Sequence, residues 1–222
     1  GTNSKTLLEY FSQAEKDNAT EKDKNELFMA SSLVCAILTQ VATEKLNIPT
    51  NGAGGIIINL DEKSISKSKV LFLPENLYKY SVAGYSPLGF SLLQGYWLNP
   101  TLYDMPAICY ERALIAYRTL SKQFPFPETN STARNSDILD KKFLPVELSI
   151  DGISEELSKN INRGLKLNAN SVSIPGKKEK GKKNEDLTPI PTFPIDLFYK
   201  SRELFLNSKI TNEDFKKKAE AY

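Results

Sequence analysis

The sequence predicts a mostly α-helical protein of the α+β kind, with a small β-hairpin and a C-terminal helical extension. Three observations predict it. Segments 26–46 and 105–123 place apolar residues at mixed three- and four-residue spacing, a stripe wide enough for largely buried helices. Two short apolar runs, Ile56-Ile57-Ile58 and Val70-Leu71-Phe72-Leu73, flank a polar stretch and read as paired strands. A proline-rich approach, TPIPTFP at 188–194, leads into further amphipathic sequence.

Taken in order, residues 4–14 read as a first helix, with Leu7, Leu8 and Phe11 on one face and Ser4 as N-cap. Residues 17–25 are a polar connector. The second helix, 26–46, carries Leu27, Met29, Ala30, Leu33, Val34, Ile37, Leu38 and Val41. Pro49 closes it, and NGAGG at 51–55 forms a turn into the hairpin. Residues 74–106 hold the breakers Pro74, Gly84, Pro87, Gly89, Gly95, Pro100 and Pro106, so they are irregular. They are also too aromatic for a disordered segment, and long loops of this kind are functional or packed on the body. Met105-Pro106 opens the next helix with proline near its first position, and Pro125 and Pro127 stop it after Gln123. Segment 153–165 is amphipathic, with Ile153, Leu157, Ile161 and Leu165 at four-residue spacing, Ser154 as N-cap, and Glu155 and Glu156 in the positive first turn. A last pair of helices is expected at 195–206 and after Thr211, whose TNED begins with a cap. The expected organisation is an N-terminal helix and connector (1–25), a helical body (26–168), a flexible Lys- and Pro-rich linker (169–194) and C-terminal helices (195–222).

Composition narrows the chemistry. The 222 residues hold 29 basic and 27 acidic side chains, a net charge of +2, which creates no global field for nucleic acid or anionic lipid. Lys outnumbers Arg, and Asn and Ser are frequent, a bias of genome composition. There is no histidine, so Ser-His-Asp, Cys-His and His-ligated zinc chemistries are excluded within the chain. Cys35 and Cys109 both lie in apolar helical patterns and read as reduced core thiols. No metal and no cofactor are expected. The longest apolar run, 33–38, is too short to span a bilayer, and no signal peptide is visible. The expectation is a cytoplasmic protein with no membrane insertion. The chain opens Gly1-Thr2 rather than with Met, which leaves room for a removed leader and hence a periplasmic or membrane-anchored location.

Sharper readings of single motifs give way to plainer ones. NGAGG lacks the Lys-Ser/Thr of a phosphate loop and runs into a strand, so it is a turn. Asp61, Glu62 and Glu75 have no ligand spacing and read as solvated loop charges. The five lysines within 177–183 have no interleaved aromatics for base stacking, and read as a solvated linker. Residues 188–194 are a stiff connector that docks the last helices. Tyr85, Phe90, Tyr96 and Trp97 are the candidate partner-binding residues, because exposed Trp and Tyr dominate interfaces. Trp97 as a pin holding its loop to the core is the competing reading.

The order of helix, turn, hairpin, long loop, buried helix ending in Pro125-Phe126, connector and helix resembles the C-terminal lobe of protein kinases over residues 26–167. Gly55-Ile56-Ile57-Ile58 matches the hairpin that follows a kinase catalytic loop. Tyr96-Trp97-Leu98-Asn99-Pro100 falls at the end of the activation segment, and ISEELSKNINRGLKL at 153–167 is similar to the helix after the central one. The departures are specific. The His-Arg-Asp triplet falls near Ile48-Pro49-Thr50, the metal-binding Asn on Gly55, the Asp-Phe-Gly on Leu73-Pro74-Glu75, and the anchoring Asp of the central helix on Ile108. Too few residues precede the body for a nucleotide-binding N-lobe. The resemblance therefore implies a pseudokinase-like remnant without the phosphate, metal and base positions that phosphoryl transfer needs.

The expected function is a non-catalytic protein-interaction or scaffold module, with a protein partner of unknown identity, no nucleic-acid partner, and an oligomeric state the residues leave open. Two other classes stay open: a structural component of an envelope or motility assembly whose anchor has been removed, and an enzyme using carboxylate or Tyr chemistry without His.

Overall fold

The computed structural model describes residues 4–46, 48, 52–61, 63–73, 105–126, 142–167, 190–208 and 211–222. It is mostly helical with a small antiparallel sheet, as expected. In chain order the elements are β1 (Ser4–Thr6), α1 (Leu7–Ala14), α2 (Glu21–Thr43), β2 (Ile56–Asn59), β3 (Lys69–Phe72), α3 (Met105–Ser121), α4 (Val146–Ser149), α5 (Glu155–Leu167), α6 (Ile195–Lys200), α7 (Arg202–Asn207) and α8 (Asn212–Ala221).

The expected hairpin forms, with Ile57 opposite Leu71 and Ile58 opposite Val70. It gains a third strand: Ser4–Thr6 pairs antiparallel with β2, Lys5 opposite Ile58. Ser4 is therefore a strand residue, and the N-cap of α1 is Thr6. The reason is a reciprocal capping box. Thr6 Oγ1 accepts the Glu9 N–H at 3.1 Å, while the Glu9 carboxylate accepts the Thr6 N–H at 2.6 Å. The same device moves the start of α2 from the expected Glu26 to Glu21. Thr20 Oγ1 caps the Asp23 N–H at 3.2 Å, and Asp23 returns the bond to the Thr20 N–H. A polar first turn is exposed and needs no apolar stripe, so periodicity alone places this start too late.

α2 ends early, at Thr43, because Lys45 turns left-handed (φ 55). Leu46 N–H bonds Val41 O at 3.0 Å and Lys45 N–H bonds Ala42 O at 3.3 Å, which is a Schellman closure built without glycine. α2 is long and apolar enough by composition to cross a bilayer, but 56% of its most apolar window is buried within the fold. It is packed between α1 and α3 as a core helix.

α3 is the centre of the molecule. α2 packs on one side, α5 on another and α7 on a third, so nearly every residue from Ala107 to Ser121 is buried, Glu111 and Arg112 included. The approach of α5 is set by Gly164. A Cβ there would lie 2.5 Å from Ala113 Cβ and 2.9 Å from the Cys109 carbonyl oxygen. α5 begins as expected, with Ser154 Oγ accepting the Leu157 N–H at 3.4 Å.

The helix expected at 195–206 is two helices broken at Ser201, whose hydroxyl turns back onto Leu197 O at 2.9 Å. In a straight helix Phe198 and Phe205 would be about 10 Å apart along the axis. The break lets both reach one ring: Phe28 lies 5.2 Å from Phe198 and 5.5 Å from Phe205, centroid to centroid. Thr211 caps α8 through Asp214, and Phe215 is the buried residue of that helix.

Candidate functional site

Two places gather charge on α3. The first is internal. Arg112 is only 2% exposed. Its guanidinium donates to Pro191 O at 2.7 Å, Ile190 O at 2.9 Å, Thr192 O at 3.3 Å and Thr39 Oγ1 at 3.1 Å, and stacks 5.0 Å from the Phe193 ring centre. Burial lowers its pKa, and the nearby Cys109 and Cys35 oppose that shift. The extended segment 190–193 is thus fastened to the body by one cation. A carbonyl strap suits arginine, whose planar fork spreads several donors.

Both thiols sit beside it. Cys35 donates to Arg112 O at 3.8 Å and Cys109 to Ile190 O at 3.3 Å. Burial pushes the Cys35 thiol up to about 12, so it stays protonated and is not an activated nucleophile. Tyr117 donates its hydroxyl to Leu144 O at 2.8 Å, and burial raises its pKa as well. These buried polar groups hold the fold together.

The second place is open. A cleft of about 600 Å³ lies where the C-terminal end of α3 meets α1, the first turns of α2, α7 and the start of α8. Among the described residues Lys16, Lys24, Arg118 and Lys122 line it, against one carboxylate, Glu15. The Arg118 guanidinium pairs with Glu15, lies 4.5 Å from the Phe124 ring centre and 6.0 Å from that of Phe11. Glu15 has its pKa raised by burial, with Arg118 opposing. Lys122 sits at the left-handed closure of α3 (φ 59), its N–H on Arg118 O at 2.9 Å. Its ammonium donates to Ser208 O at 2.8 Å above the Phe205 ring. Burial and the charge of Lys24 lower its pKa.

Further grooves run along α8. One of about 680 Å³ has Pro125, Phe143, Leu144, Pro145, Phe215, Ala219 and Tyr222 in its wall, with Lys142, Glu147, Asn162 and Lys166 at its polar edge. A second, about 480 Å³, lies between α8 and Gln123-Phe124 and shares Phe215 and Ala219.

Tyr85, Phe90, Tyr96 and Trp97 lie outside the described residues, as do Pro49, Thr50 and the lysines of 177–183. Gly55 is buried in a turn before β2, and Ile108 is buried in the core. Asp61 spends its carboxylate on the Lys63 and Ser64 N–H groups, at 2.9 and 3.0 Å, as a turn cap. Among the described residues no group of three or more His, Cys, Asp or Glu side chains could hold a metal ion. The cleft cations were not among the candidates read from sequence. They come from positions about a hundred residues apart, and only the fold brings them together. No family model, curated protein or solved structure matches the chain.

Proposed function

We propose that the chain is a non-catalytic protein-interaction module, a scaffold that resembles a degenerate kinase C-lobe. The observation that carries this reading is the groove system along α8. An amphipathic helix is held by one buried phenylalanine between clefts whose walls are apolar and whose edges carry both charges. Such a surface suits an amphipathic segment that supplies one or two apolar anchors and pairs its own charges with Lys142, Glu147 and Lys166. The chemistry of the interior supports the same reading: its thiols, phenol and guanidinium are engaged with backbone oxygens.

The test is recovery of a partner from source cells with the wild-type chain and with Ala219→Arg. Ala219 is exposed and lines both grooves, so the substitution fills them without touching the core. The reading expects the partner to be lost with Ala219→Arg while thermal unfolding is unchanged. A partner retained by the variant would remove the groove from the account. Binding of ATP-Mg, or phosphorylation of a generic substrate, would remove the non-catalytic reading.

A further inference from the structure

The cleft at the end of α3 holds its cations in an arrangement that their surroundings in the fold do not explain. Cations at a helix C-terminus complement the macrodipole, which accounts for Arg118 and Lys122. It does not account for Lys24, which belongs to the opposite, positive end of α2. Nor do local carboxylates. Glu26 pairs with Lys5 and Lys22, Asp23 caps Thr20, and Glu15 pairs with Arg118. Among the described residues no carboxylate stands between Lys24 and Lys122 at ion-pair distance. Lys24 and Lys122 line the same cleft, and burial, with the charge of Lys24 adding to it, lowers the pKa of the Lys122 ammonium.

Arg118 and Lys122 are also held in place before any ligand arrives. Arg118 is pinned between two aromatic rings and a carboxylate, with its side chain only 12% exposed. Lys122 hangs from a left-handed backbone position that costs a non-glycine residue energy, and its ammonium is aimed by Ser208 O over Phe205. A glycine would close the helix there without strain. Lysine closes α2 in the same way at Lys45, and here its side chain lines the cleft.

We propose that this cleft is a binding site for a phosphoryl group, held by Lys24, Arg118 and Lys122 with Lys16 at its edge. Cations brought to one cleft from the ends of α1 and α3 and the first turns of α2 suit a compact polyanion with acceptors in several directions, which a single carboxylate does not offer. The volume of about 600 Å³ is in the range of small-molecule sites and larger than a bare phosphate requires. The same chemistry is offered by free phosphate, by pyrophosphate and by a phosphorylated small molecule.

Calorimetric titration of the full chain with inorganic phosphate, pyrophosphate and glycerol 3-phosphate, at constant ionic strength, tests the site and separates these sources. At least one probe is expected to bind saturably. Lys24→Met and Lys122→Gly should each weaken it about tenfold or more, as expected for loss of a charge-assisted contact. Lys159→Met, an exposed lysine on α5, should change nothing. Lys122→Gly is informative because glycine is at ease in the left-handed closure, so lost binding cannot be ascribed to lost folding. Absence of saturable binding by all three probes up to about 10 mM would overturn the proposal. So would equal weakening by Lys159→Met, which would mark general charge screening, or full affinity in Lys122→Gly.

Discussion

Arg112 and Lys122 lie ten residues apart on or just beyond the same helix, and the fold treats them in opposite ways. Arg112 is enclosed: three strap carbonyls, a threonine hydroxyl and an aromatic face meet it. Lys122 is half-buried, its ammonium meets the Ser208 carbonyl, and it lines a cleft together with Lys24. A cation surrounded by acceptors is a structural fastener. One set against a like charge destabilises the protein unless something else supplies the counter-charge. The difference teaches that charge on α3 is spent on architecture in the middle and kept for a ligand at the end.

The largest expected effect breaks the first half of that comparison. Arg112→Met leaves three buried carbonyls and Thr39 without their donor, and should cost about 3 kcal/mol or more. Denaturant unfolding measures it, and limited proteolysis should show early cutting near 190–193. A loss well below about 1 kcal/mol would mean the strap is held by its apolar contacts alone.

Next is the alkaline limb. The Cys35 thiol is raised from 9.0 to about 12 in the folded chain. Between those values the unfolded chain has released the proton and the folded chain has not, so stability falls as pH rises from about 9 towards 12. The slope from one such group is about 1.4 kcal/mol per pH unit. Tyr117, also raised, adds to the loss above its ordinary range. Cys35→Ala should flatten the lower part of this limb in unfolding measured against pH. Unchanged steepness would assign the loss to other groups.

Gly164→Ala tests the contact that brings α5 against the centre of α3. In an open helix the change would stabilise by up to about 1 kcal/mol. Here the new methyl meets Ala113 and the Cys109 carbonyl, so a loss of about 1–3 kcal/mol is expected in denaturant unfolding. Any gain would show that the helices separate freely. The smallest effect is Thr20→Ala, which removes one half of the capping box of α2 and should cost about 1 kcal/mol while leaving anion affinity unchanged.

Periodicity made the central helices and the hairpin legible, because their apolar spacing is imposed by burial itself. It missed β1 and placed α2 five residues late. In both cases the deciding signal was a Thr-x-x-acid box, TLLE at 6–9 and TEKD at 20–23, whose polar residues carry no hydrophobic pattern. The break at Ser201 was also hidden, since Phe198 and Phe205 share one face of an unbroken helix and their common contact with Phe28 is made only in the fold. The cleft was illegible for a different reason. Lys16, Lys24, Arg118 and Lys122 are ordinary surface residues in one dimension, and a site made by convergence of distant segments leaves no local motif. Aromatic content drew attention instead to Tyr85, Phe90, Tyr96 and Trp97, which lie outside the described residues.

The most direct test of the contrast is denaturant unfolding of wild type and Lys122→Gly, each with and without saturating pyrophosphate. Without the anion the two should lie within about 1 kcal/mol of each other, because glycine relieves the left-handed closure while the Lys122 bond to Ser208 O and its contact with Phe205 are lost. With pyrophosphate the wild type should gain stability and the variant should not, so the difference shifts in favour of the wild type. A gap that is the same with and without the anion would contradict the account.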